Sequence, residues 1–170
     1  MDRIKEITKE FKNNDFSSFD EFYDSTSRLV YFVISGIVKR KEIAEELMQE
    51  TYLKFIQSLN TLESNYNPKS YLITIARNLA INEYNKAKKT VYNEEIIDII
   101  PEDKITYNVD LGIISYLEET EQEIVTMHIV GDLKFREIAK IINKPLGTVL
   151  WLYNKAIKKL KKKVGENDEK

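Results

Sequence analysis

The sequence has no cysteine, only three prolines and five glycines in 170 residues, and a single histidine. The first absence excludes a disulfide framework, a thiolate metal site and a cysteine nucleophile. The scarcity of turn formers disfavours loop-rich and most all-β architectures. Long apolar runs are also missing: the best candidate, residues 29–38, falls well short of the roughly 20 apolar residues that a membrane-spanning helix needs. The start, Met1-Asp2-Arg3-Ile4-Lys5-Glu6, mixes charges and lacks the basic-then-apolar layout of a signal peptide. The expectation is a cytoplasmic chain without membrane insertion. No paired carboxylates, phosphate-binding loop or histidine cluster stand at catalytic or metal-binding spacing, so neither an enzyme nor a cofactor is expected.

What is present is charge, at 32% of residues, and it is sorted along the chain although the net charge is only −2. Residues 134–163 hold ten basic side chains against one acid, Glu137, and residues 69–89 hold five against Glu83. Between them, residues 91–110 carry Lys104 alone against Glu94, Glu95, Asp98, Glu102, Asp103 and Asp110. Two basic patches flanking an acidic connector predict an all-α protein of two helical domains, 1–90 and 111–165, joined by an acidic linker at 91–110.

Apolar periodicity supplies the helices. Ile43, Leu47, Met48, Thr51, Tyr52, Phe55, Ile56 and Leu59 recur at three and four residues and predict a helix over 41–59. Pro68 suits a first helical turn, and Leu72, Ile75, Ala76, Leu79, Ala80 and Tyr84 extend that helix to about 89. Segments 2–13 and 17–37 complete an N-terminal bundle. In the second domain Leu111, Ile114 and Leu117 mark one short helix, and Ile124, Val125, His128 and Ile129 mark the next, which Gly131 stops. His128, on an apolar face, reads as a core residue. A two-turn helix around Ile138–Ile142 then breaks at Asn143-Lys144-Pro145, and a longer basic helix follows over 148–164 with Val149, Tyr153, Ala156 and Leu160 as its inner seam. A short helix, a tight break and a longer basic helix are the pattern of a helix-turn-helix.

Such a concentration of positive charge repels itself unless a polyanion neutralises it, which makes nucleic acid the natural partner. The second helix of such a unit enters the major groove, its first residues reach base edges, and flanking cations hold phosphates. The candidate DNA-binding residues are Arg136, Lys144, Thr148, Leu150, Trp151, Asn154, Lys155 and Lys158. A solvated Lys-rich helix that complements its own macrodipole is the plainer alternative, but it does not account for the turn residues and periodicity that accompany the charge.

Three stretches carry a resemblance over nearly the whole chain: IAEELMQETYLKF (43–55), YLITIARNLAINEYNKAKK (71–89) and LEETEQEIVTMHIVGDLKFREIAKIINKPLGTVLWLYNKAIKKL (117–160). In this order they resemble a bacterial sigma factor of the small, extracytoplasmic-function type in the sigma-70 superfamily. The resemblance implies that the first stretch belongs to sigma region 2 and docks on the β′ subunit of core RNA polymerase through Glu45, Glu46, Leu47, Gln49 and Glu50. It implies that the second stretch recognises and helps melt the minus-ten element through Lys69, Arg77, Asn78, Asn82, Asn85 and Lys86. The preceding loop would capture an unstacked base with Tyr66 and Asn67, beside Asn65. The third stretch would be sigma region 4 reading the minus-thirty-five element.

The partners implied are core polymerase (β′ and β subunits), double- and single-stranded promoter DNA, and an anti-sigma factor. Asn82 and Tyr71 stand where the family often has Asp and Trp, and Leu152 where it frequently has Arg. The alternative function is a helix-turn-helix regulator whose N-terminal helical domain binds a ligand or a partner.

Overall fold

The computed structural model describes residues 3–62, 66–91 and 111–168. All regular structure among the described residues is helical, and the chain divides into two compact units, Met1–Glu102 and Asp103–Lys170. The acidic linker expected at 91–110 lies, apart from Val91, outside the described residues.

In the first unit, α1 (Arg3–Lys12), α2 (Phe19–Ile37), α3 (Lys41–Ser58) and α4 (Pro68–Val91) form a bundle, with a single 3₁₀ turn at Leu59–Thr61 closing α3. Helix α4 packs against α2 and α3, which also pack on each other, and α1 closes one side. Thr51, Phe55, Leu72 and Ala76, anticipated from periodicity, are buried together with Ile7, Phe11, Phe22, Val30, Ile34, Ala44 and Ile73, whereas Tyr84 is 51% exposed. Phe22 is the hub. Its ring stacks on Phe55 at 5.3 Å and meets Phe11 and Tyr52 edge-on at 5.4 and 6.0 Å, geometries that aromatic quadrupoles favour. Thr26 donates its hydroxyl proton to the Phe22 carbonyl at 2.7 Å, so the Tyr52 phenol, 2.8 Å away, donates to Thr26. Burial raises the Tyr52 phenol above its ordinary pKa.

The second unit holds α5 (Leu111–Ile114), α6 (Glu119–Val125), α7 (Phe135–Ile141) and α8 (Leu146–Asp168). Ile124, Met127, Leu133, Ile138 and Val149 are fully or almost fully buried. Of the expected inner seam of α8, Val149 and Ala156 are enclosed, while Tyr153 and Leu160 are half-buried. Helix α6 stops at Gly131 as expected, though not by α winding. It runs on through a π turn, Thr126–Val130, in which the Gly131 amide reaches back five residues to the Thr126 carbonyl at 3.2 Å. Gly131 keeps a right-handed φ of −89°, and Asp132 takes the left-handed turn with φ 52°. The widened turn places His128 between Phe135 and Tyr153, at 4.2 and 5.0 Å, with Nδ1 donating to the Leu133 carbonyl at 2.9 Å. His128 is thus a packed residue.

The break between α7 and α8 is a Schellman-type end. Asn143 adopts φ 52°, a region that Asn tolerates better than most residues, and the Lys144 amide reaches the Ala139 carbonyl at 3.0 Å. Pro145 then offers its carbonyl to the Val149 amide at 3.1 Å and opens α8.

Candidate nucleic-acid and partner interfaces

Helix α3 presents one face to α2 and α4 and leaves Glu45, Glu46 and Gln49 exposed, with Glu50 half-buried beside Lys54 at 3.0 Å. Leu47, grouped with them from sequence, is buried with Met48, so it supports the acidic face from beneath. The sequence reading missed Leu53. It is 60% exposed and lies four residues after Gln49 and three after Glu50, on the same side of the helix. Its signal was available: a large aliphatic residue that falls outside the apolar seam of an otherwise regular helix.

Helix α4 exposes Asn78, Asn82, Asn85 and Lys86, while Lys69 and Arg77 are half-buried. Spacings of four, three and one keep the exposed four on one face. Asn82, Asn85 and Lys86 line a groove of about 430 Å³ whose other wall is Leu47, Glu50 and Lys54 of α3, with Leu79 on its floor. Residues assigned separately to DNA and to polymerase therefore share one groove.

The loop before α4 is more structural than the sequence suggested. The Asn67 side-chain oxygen caps α4, accepting from the Lys69 and Ser70 amides at 3.0 and 3.3 Å. The half-buried Tyr66 ring lies under the Lys12 ammonium at 5.4 Å and edge-on to Tyr71 at 6.1 Å, and burial raises its phenol pKa. Tyr71 also approaches Phe55 at 6.1 Å and is a boundary residue of the core. Asn65 lies outside the described residues.

On α8, Leu150, Trp151, Asn154 and Lys158 are exposed at spacings of one, three and four, and Thr148 and Leu152 are half-buried. Arg136 and Lys144 are exposed before it. Lys155 differs from its neighbours: its ammonium contacts Glu118 at 3.0 Å and Glu121 at 3.1 Å, and lies 5.4 Å from the Trp151 ring centroid. Its charge is engaged inside the unit rather than held out for a phosphate. Lys159 completes the cluster, at 3.2 Å from Glu118 and 2.7 Å from Glu121.

Glu121 has no exposed side-chain surface and also accepts from the Glu118 amide at 3.1 Å, the N-terminal box of α6. Burial opposes its charge, but hydrogen bonds from Lys159, the Glu118 amide and Lys155 outweigh that and hold the carboxyl below the usual range. Lys155 and then Lys159 lower Glu118 in the same way, and both ammonium groups are raised by their hydrogen bonds to the two carboxylates. The cluster fastens α8 to the start of α6.

Among the described residues no group of three or more His, Cys, Asp or Glu is arranged to hold a metal ion. No described helix is long and apolar enough to cross a membrane.

A helix bundle with an acidic face and an amide-rich face, followed in the chain by a basic helix-turn-helix, defines a DNA-binding protein with a second macromolecular partner. Residues 22–90 match the family model for Sigma-70 region 2, and residues 111–160 match that for Sigma-70, region 4. The chain belongs to the sigma-70 family of RNA polymerase sigma factors, and to its extracytoplasmic-function type. It is 27% identical to the ECF RNA polymerase sigma factor BldN of Streptomyces coelicolor over 93% of this chain, and spans 64% of that relative's length. It is 24% identical to the ECF RNA polymerase sigma factor SigW of Bacillus subtilis, covering 86% of this chain and 88% of the relative. Among solved structures, the sigma factor RpoE of Bartonella quintana, in complex with the anti-sigma factor NepR, superposes with a TM-score of 0.70 at 20% identity. That match covers 86% of this chain and 96% of RpoE and supports the fold. Sigma factors of this type bind RNA polymerase and direct promoter-specific transcription.

Proposed function

We propose that this chain is a non-catalytic, cytoplasmic subunit that binds core RNA polymerase, brings it to specific promoters and assists DNA melting. The division of labour follows the two domains, 1–90 and 111–165. Glu45, Glu46, Gln49 and Glu50, with Leu53 among them, offer a basic partner helix of the polymerase β′ subunit both opposite charge and an apolar anchor. Asn78, Asn82, Asn85 and Lys86 address the minus-ten element, with Lys69 and Arg77 alongside, and the Tyr66–Asn67 loop borders the path of a displaced base. Lifting a base from the stack costs a few kcal/mol, which pocket contacts must offset. The helix-turn-helix engages the minus-thirty-five element through α8, with Arg136 and Lys144 on flanking phosphates. An anti-sigma factor would act by covering one of these faces.

The observation that supports this reading is the groove between α3 and α4, where Leu47, Glu50 and Lys54 face Asn82, Glu83, Asn85, Lys86 and Lys89. Run-off transcription of genomic fragments with purified core enzyme tests it. Discrete start sites should appear only when this chain is added, and they should vanish with Glu45→Lys/Glu46→Lys/Gln49→Ala. A ligand-responsive regulator would instead keep its DNA binding and show no dependence on those three residues.

A further inference from the structure

The groove-facing chemistry of α8 is unusual for a basic helix. Its exposed face begins with Gly147, Leu150, Trp151 and Asn154, none of them charged, and the first exposed cation on it is Lys158. Lys155, the one cation nearer the start of the helix, is engaged by Glu118 and Glu121. The residues that would lie deepest in a major groove are therefore two large apolar side chains, a glycine and an amide.

Each base pair presents its own pattern there. Guanine offers two acceptors that suit Arg or Lys, adenine offers an acceptor and a donor that suit Asn, and thymine offers its C5-methyl to apolar side chains. The start of α8 has no cation for guanine. It has the match for adenine in Asn154, and the match for thymine in Leu150 and Trp151.

We propose that α8 reads T·A base pairs in the minus-thirty-five element, Leu150 and Trp151 packing on thymine C5-methyl groups and Asn154 pairing with an adenine edge. This rests on the promoter-binding role of the helix-turn-helix proposed above. Two further observations support it. Trp151 is 61% exposed, so its ring surface is open for burial against a partner, and burial of such surface is favourable. The Lys155 ammonium, fixed by Glu118 and Glu121, sits over that ring at 5.4 Å and biases its orientation before any DNA arrives. The continuity of the apolar face with Lys158, Lys161 and Lys162, all exposed, identifies the occupant as a polyanion carrying apolar groups. Duplex DNA rich in thymine has that chemistry.

The test uses the full chain with core polymerase and a promoter found by run-off transcription. Randomising its minus-thirty-five element and selecting bound fragments should enrich T·A pairs at the positions under α8. Uracil in place of thymine at those positions removes only the methyl, and should weaken binding about fourfold per contacted base, the transfer value of one buried methyl group. Trp151→Ala and Leu150→Ala change exposed side chains, so the fold persists, as circular dichroism would verify. Each should erase the difference between thymine and uracil at its own position.

Equal affinity for thymine and uracil, or selection of G·C pairs under α8, would overturn the inference while leaving promoter-directed initiation intact. A Trp151→Ala variant that loses polymerase affinity without any change in base preference would also overturn it, by making the patch a protein contact. Absence of any specific initiation would remove the promoter-binding role itself.

Discussion

The two units are held together by different physics. The first closes around aromatic rings, with Phe22 packed against Phe11, Tyr52 and Phe55 and no charged side chain buried among its described residues. The second has a smaller aliphatic core and adds a fully buried carboxylate, Glu121, whose ion pairs to Lys155 and Lys159 bridge α6 and α8. Apolar burial is indifferent to proton concentration, whereas an ion pair is not. The unit that carries the helix-turn-helix is therefore expected to respond more strongly to pH than the first.

Four measurements would break or sharpen that contrast. The largest effect is expected from Phe22→Ala, which opens a cavity among three rings and should cost about 3–5 kcal/mol. Amide exchange should show the loss in α1 to α4 and leave α6 to α8 protected. Glu121→Gln keeps the size of the side chain but leaves two ammonium groups without their buried partner. It should destabilise the second unit by about 1–2 kcal/mol, a figure kept low because both lysines are partly solvated. Unchanged exchange in α6 and α8 would show that the cluster is idle.

Acidification tests the same cluster without mutation. Glu118 and Glu121 are depressed in the fold, so their stabilisation is complete above the unfolded carboxylate value of about 4.3. It is lost as pH falls through the lower folded values. Melting followed by exchange at neutral and at acidic pH should lower the second unit more than the first. The depressed Glu21 of the first unit is paired with Arg3 on the surface, where such pairs contribute little. The smallest effect is Leu53→Ala, which should weaken polymerase binding roughly fivefold with no change in melting, because the side chain is exposed. Native gel titration with core enzyme would read it.

Much of the fold was legible because helices announce themselves by spacing. The α3 and α4 seams, the proline opening α4 and the Asn143-Lys144-Pro145 break all followed from local rules, and the structure places them within a few residues of the expectation. What escaped notice was tertiary. Nothing in the spacing of Glu121 says that it is enclosed, so Lys155 read as one more surface cation when it is half of an internal clasp. Asn67, which the resemblance implies lies at a captured base, also caps a helix, and the left-handed turn after Gly131 falls on Asp132. Leu47 and Leu53 show the limit of spacing alone. Leu47 was counted both in the seam and in the docking face and is buried, and Leu53 on the surface went unremarked, because a periodic pattern assigns faces only to within about a third of a turn.

The π turn at Thr126–Val130 also has a genetic consequence. A widened turn accommodates one residue more than α winding would, so deleting a single codon within 126–130 would let α6 continue as an ordinary helix instead of breaking it. The residues beyond would keep their register, because the turn that absorbs the extra residue is lost together with it. Such a deletion should leave helical content nearly unchanged by circular dichroism and retain promoter-specific initiation, whereas loss of initiation would show that the extra residue itself is needed.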